Sequence, residues 1–143
     1  MLASISAETS DDIGSDCGNG VGREIKSALI TVRAAKPEDI LAFYKEPARG
    51  TMRALVAVLD GNVVGVIGIV REQLWGRFFS DFAPALQPYL KSITIMRAVK
   101  QSLRFCDDYR GPVVAIAKDA ESCRFMHRLG FTHLQGAAYA WLN

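Results

Sequence analysis

Cys123 and His127 stand four residues apart on a segment with helical periodicity, and His133 follows. A thiolate and an imidazole at that spacing could begin a zinc site. No fourth ligand is evident, and a buried thiol beside a surface histidine accounts for the same residues, so no metal is expected. Cys123 has no adjacent base, which leaves its thiol inert as a nucleophile and suited to the core. Gly18, Gly20 and Gly22 resemble a nucleotide loop at a glance, but they follow no strand, as a dinucleotide site requires, and read as linker. Trp75, Arg77, Phe78 and Phe79 could stack on and pair with RNA bases; alternating aromatics on a strand are also what a core requires. These residues therefore need the elements around them before any chemistry can be assigned.

The chain has 143 residues, 50% of them hydrophobic and 22% charged, which suits one domain with a real core. Its net charge of +2 is too small for a broad nucleic-acid footprint. The longest apolar run, Val63 to Val70, is eight residues, against the roughly 20 that span a bilayer. The first residues carry no basic segment before their few apolar ones, so no secretory signal is expected. Three cysteines without C-x-x-C spacing fit reduced thiols, and a cytoplasmic location is expected.

Residues 1–26 are rich in Ser, Asp and Gly without an apolar period and read as a flexible or partner-ordered tail; residues 27–143 read as the folded domain. Ala28 to Ala34 alternates as a strand. Pro37, Glu38 and Asp39 open a helix with Ile40, Leu41, Phe43 and Tyr44 on its apolar side, and Pro47 and Gly50 end it. Met52 to Leu59 and Val63 to Val70 are strands joined by Asp60-Gly61-Asn62, a hairpin signal. Both runs are apolar on nearly every residue, which predicts a sheet covered on both faces. Leu74 to Phe82 is a third strand. A helix after Pro88 carries an apolar stripe of Leu90, Ile93, Met96, Val99, Leu103 and Cys106. Val113 to Ala117 is a buried parallel strand. Asp119 caps a helix over 120–129 that Gly130 ends, and Thr132 to Leu142 returns as a hairpin around Gln135-Gly136.

This order, with Phe82-Ala83-Pro84-Ala85-Leu86-Gln87 before the long helix and Asp119-Ala-Glu-Ser-Cys-Arg-Phe-Met-His-Arg-Leu-Gly-Phe131, resembles the GNAT superfamily of N-acetyltransferases. Pro84 and Gln87 match the family's V-x-P-x-x-(Q/R)-x-x-G-x-(G/A) segment, and Arg128-Leu129-Gly130-Phe131 matches the end of its N-x-x-A-x-x-x-Y-x-x-L-G-F segment. The resemblance covers 28–143 and implies an α/β GNAT-like fold, a mixed and mostly antiparallel sheet with helices on both faces.

The resemblance further implies an acetyl-CoA-dependent transfer to an amine of unknown identity. It puts Phe82 and Ala83 against the pantetheine arm. Gln87, Tyr89, Leu90, Lys91, Ser92 and Ile93 would lie at the pyrophosphate, and Asp119 and Ser122 on the far wall. Among the acids near the third meander strand, Asp81 is the candidate catalytic base, with Glu72 the other acid available. Leu90 and Ser92 replace the family's small loop residues, and Leu disfavours the positive φ that glycine permits. Met126 stands where a tyrosine general acid is frequent; Tyr89 and Tyr109 are possible substitutes. Only about 18 residues separate the first two strands, room for one helix where relatives usually have two. The acceptor wall is thereby reduced, which fits a protein side chain as acceptor or completion by a second subunit. The alternative is a catalytically inactive binding or assembly module, bacteriophage-associated and open to a homo-oligomeric or phage-protein partner.

Overall fold

The computed structural model describes residues 29–142; the tail over 1–26 lies outside the described residues. Seven strands form one sheet in the order β1-β2-β3-β4-β5-β7-β6. The meander comprises β1 (Ile30–Ala34), β2 (Met52–Leu59), β3 (Asn62–Arg71) and β4 (Gly76–Phe82). Helix α1 (Pro37–Tyr44) joins β1 to β2. After β4, a 3₁₀ helix (Pro84–Tyr89) and helix α2 (Ile93–Asp108) lead to β5 (Val113–Ile116), which runs parallel to β4. Helix α3 (Ala120–Leu129) then precedes the terminal hairpin of β6 (Thr132–Gln135) and β7 (Ala138–Trp141).

The hairpins follow from local chemistry. Asp60 and Gly61 both take positive φ, 52° and 81°, between the paired Leu59 and Asn62. A two-residue turn of this kind matches the twist of the strands it joins. In α1, Pro37 supplies a preset φ, and Asp39 reaches back to accept from the Lys36 backbone N–H at 2.8 Å. The same carboxylate takes two hydrogen bonds from Arg33, at 2.6 and 2.9 Å, and so clamps the end of β1 to the first turn of α1. Asp119 accepts from the Ser122 N–H at 2.8 Å and Gly130 ends α3 at φ 102°, as the sequence predicts.

The sheet is covered on both faces. On one, Ile40, Phe43 and Tyr44 of α1 pack on Ala54, Val56, Val66 and Phe79. On the other, Ala98, Val99, Phe105 and Cys106 of α2 join Phe125 and Met126 of α3 over Leu55, Ile67, Ile69, Phe78 and Ala115. Phe78 is thus a core residue, 2% exposed, and Phe79 and Phe82 pack with it against the two covered faces; the strand begins at Gly76 rather than Leu74, and Trp75, ahead of it, is 41% exposed. The expected stripe of α2 needs correction. Val99 and Cys106 are buried, but Ile93 and Met96 are 66% and 54% exposed, and the buried face runs instead through Ile95, Ala98, Ser102 and Phe105. Ala98 and Ser102 are small enough to bring the helix axis close to the sheet, with the Ser102 hydroxyl satisfied by the Val99 carbonyl at 2.6 Å. Burial pushes the Cys106 thiol up to about 12, which keeps it protonated.

Candidate active site where β4 and β5 part

Parallel strands β4 and β5 pair at three positions, Gly76 with Val113, Arg77 with Val114 and Phe78 with Ala115. Beyond them β4 runs on from Phe79 to Phe82 without β5 beside it, while β5 stays paired with β7 throughout. The two strands therefore splay toward their C-terminal ends. β4 is followed by the 3₁₀ helix and then α2, and β5 by α3. A gap of this form presents strand edge to an extended amide-bearing arm, with two helix N-termini beside it that favour anions.

Asp81 lies on β4 within the splay, on the α1 face, and is half-buried. The Tyr44 hydroxyl donates to its Oδ2 at 2.6 Å, and the Lys118 ammonium, two residues past the end of β5, stands 3.4 Å from its Oδ1. Burial opposes ionisation of this carboxyl, but the Tyr44 hydroxyl and the Lys118 charge favour it, and its pKa is held below the ordinary value. Tyr44 is moved the other way: burial first, then its bond to Asp81, raises the phenol well above its ordinary range, so the proton stays on the tyrosine. A cleft of about 310 Å³ opens in front of the pair, lined by Ile40, Tyr44, Met52, Arg77, Phe79 and Asp81 with Glu46 to Arg49 at its rim. The site thus joins a carboxylate held ionised, a cleft on one face of the sheet, and a strand gap leading through to the other.

Solved structures of similar form bear on this geometry. The chain superposes on a GNAT family acetyltransferase from Brucella melitensis in complex with acetyl-CoA, with TM-score 0.50 and 17% identity over 79% of this chain and 87% of that one. It superposes equally on a GNAT family acetyltransferase from Streptococcus pneumoniae (TM-score 0.52, 12% identity, 78% and 96% covered). A third is ribosomal-protein-S5-alanine acetyltransferase from Vibrio fischeri (TM-score 0.50, 16% identity, 85% and 94% covered). The chain has the GNAT acetyltransferase fold. At these identities the likeness is one of fold, and function has to be argued from the site. No protein-family model matches the chain, and no curated protein matches its sequence.

Within the GNAT fold the residues anticipated at the cofactor separate into two groups. Phe82 and Ala83 continue the β4 edge past the splay, and the Ala83 N–H is held by the Val64 carbonyl at 2.7 Å, at the bulge where β3 takes one extra residue against β2. Asp119 and Ser122 lie at the N-terminus of α3, Asp119 exposed as its cap and Ser122 buried. The segment from Gln87 to Ile93 departs more. Leu90 is 9% exposed and packs among Ala57, Leu59, Leu86 and Ile95, with φ −65°. Leucine is therefore compatible with this turn, because the backbone does not need the positive φ that glycine would supply.

Several N–H groups of that segment are already used: Leu86 donates to Ala83, Leu90 to Gln87 and Ser92 to Tyr89, and the Ser92 hydroxyl caps Ile95 at 3.2 Å. Ile93 and Thr94, at the first two positions of α2, have no intrahelical acceptor. Lys91 is exposed beside them.

The remaining candidates fall elsewhere. Glu72 sits at the far end of β4, in an ion pair with Arg77 at 2.9 Å. Tyr109 packs against Gly76, also at that far end, and Tyr89 packs beside Leu86 and Leu90. The tyrosine that does touch Asp81 is Tyr44, which the helical period places only on the apolar face of α1. Its hydroxyl, at the last position of α1, meets a strand 37 residues away, a distance no local pattern reports. His133 Nε2 lies 2.8 Å from the Gly136 carbonyl and closes the β6–β7 turn, and Met126 is buried in the core.

Proposed function

We propose that the protein is an acetyl-CoA-dependent N-acetyltransferase whose acceptor amine binds in the cleft between α1 and β4, with Asp81 as general base. The observation that carries this reading is the position of Asp81: an ionised carboxylate on the strand that splays, between the gap and the cleft. The thioester supplies an activated acetyl carbonyl. On the protein's side, Asp81 Oδ1 accepts a proton from the incoming ammonium, directly or through one water, and Tyr44 fixes Oδ2 so that Oδ1 faces the amine. The free amine attacks the carbonyl, the C–N bond forms, the C–S bond breaks and the thiol leaves carrying a proton. Phe82 and Ala83 align the arm along the β4 edge; Lys91 and the N–H groups of Ile93 and Thr94 meet the diphosphate. Tyr44 is a positioning residue.

The reading is tested by thiol release with a panel of amines. The panel includes small amines, lysine peptides and a peptide with N-terminal alanine, since one structural neighbour acts on an alanine of a ribosomal protein. The expected result is turnover with at least one class and a loss of 10²-fold or more in Asp81→Asn, the scale of a missing general base. Turnover unchanged in Asp81→Asn removes the role given to that residue.

A second reading, an inactive GNAT-like binding or assembly module, is favoured by one feature: the 3₁₀ helix that replaces an open phosphate loop, with Leu90 buried at its C-terminal end. It predicts no saturable acetyl-CoA binding and a stable complex with another protein.

A further inference from the structure

Lys118 brings a primary amine to the base that the acetyl-transfer reading assigns. It leaves β5 where that strand diverges from β4 and reaches back across the splay, so that its Nζ stands 3.4 Å from Asp81 Oδ1. This ion pair bridges the two diverging strands. The side chain is 62% exposed, on a four-carbon stem of rotatable bonds. An acceptor ammonium in the cleft would have to take the same place at Oδ1 that the Lys118 ammonium holds.

We propose that Lys118 is a self-acetylation site, modified within one molecule from the protein's own bound acetyl thioester. The proposal rests on the acetyl-transfer reading above. Asp81 takes one proton from the Lys118 ammonium and passes it to water, and the neutral Nζ attacks the acetyl carbonyl. The C–N bond forms, the C–S bond breaks, the thiolate leaves with the second nitrogen proton, and the products are an acetamide at Lys118, free thiol and one proton in solution. The modification removes the cation from Asp81 and leaves a neutral amide across the gap. Self-acetylation thereby competes with the acceptor and is slowed when an acceptor amine fills the cleft.

The test incubates the full chain with acetyl-CoA and follows intact mass and mapped peptides over time, alongside the melting temperature with the same ligand. The expected result is one acetyl group on the Lys118 peptide at a rate per molecule independent of protein concentration. It should be at least tenfold faster than at the exposed Lys45 and Lys100. Lys118→Arg keeps the charge and should carry no such label; Asp81→Asn should slow it at least tenfold. If Asp81→Asn fails to fold, concentration independence and the Lys45 and Lys100 rates in the wild-type chain decide. Ligand binding or transfer to an added amine, with Lys118 labelled no faster than those lysines, overturns the proposal and leaves the enzyme reading standing. Absence of both binding and transfer overturns the two together.

Discussion

Replacing Asp39 by asparagine keeps the shape of the side chain and removes the charge that clamps α1 to β1. The Asp39 carboxyl is 6% exposed, accepts from Arg33 at 2.6 and 2.9 Å and from the Lys36 N–H at 2.8 Å, and is lowered to about 2 from the ordinary 3.8. The Arg33 hydrogen bonds are the leading cause; burial opposes them and the Lys36 N–H adds to them. At about 1.4 kcal/mol per pH unit, that difference is on the order of 2 kcal/mol. The Arg33 side chain is 43% exposed, so solvent screening reduces the contribution to roughly 1–2 kcal/mol.

Asp39→Asn should therefore lower the melting temperature at neutral pH by roughly 3–8 °C. Because the folded pKa lies below the unfolded one, the stabilisation is complete above about pH 5 and is lost as the pH falls through 3.8 toward 2. Thermal unfolding of both proteins across that range should show the gap closing on the acid side. A gap that stays constant with pH would mean that Asp39 contributes by shape or capping alone, and the charge argument would be wrong. The clamp also fixes the helix whose last residue, Tyr44, holds Asp81.

Three further outcomes follow from named contacts. Gly68→Ala places a Cβ 2.3 Å from the Arg53 carbonyl oxygen and 2.5 Å from Ala54, so the β2–β3 ladder must shift. Urea unfolding should show a loss of roughly 1–3 kcal/mol or more. Tyr44→Phe removes a charge-assisted hydrogen bond worth about 1.5–3 kcal/mol; it should raise the Asp81 pKa and shift the acid limb of the transfer-rate profile upward in pH. Leu90→Gly, which restores the residue usual in the family's loop, should destabilise the chain by roughly 2–5 kcal/mol because Leu90 is core, and an unchanged unfolding midpoint would contradict its burial.

Local chemistry made most of the architecture legible. The positive-φ turn at Asp60-Gly61, the Asp119 cap and Gly130 stop of α3, and the hairpin around Gln135-Gly136 each depend on residues a few positions apart. The doubly apolar runs of β2 and β3 also announce a sheet buried on both faces. What stayed hidden depends on distance or on packing. Ile93 and Met96 have the hydropathy of core residues, but the small Ala98 and Ser102 turn a neighbouring face of α2 to the sheet. The Tyr44–Asp81 and Lys118–Asp81 contacts each join residues 37 apart, and no helical or strand period reports them. Leu90 looked out of place only because a glycine-type loop was expected. Pro84 and Pro88 instead accompany a 3₁₀ turn with ordinary backbone angles.

We assign the splay between β4 and β5, with Asp81 beside it, as an acetyl-CoA-dependent transfer site. Its most direct measurement is the melting temperature of the full chain with and without acetyl-CoA, beside the same titration with free acetate. Ligand at about 100 times its Kd should add roughly 2.7 kcal/mol to the native state, a rise of several degrees that acetate does not reproduce. No rise at millimolar acetyl-CoA, in a chain that still melts cooperatively, would mean that the splay does not hold this cofactor.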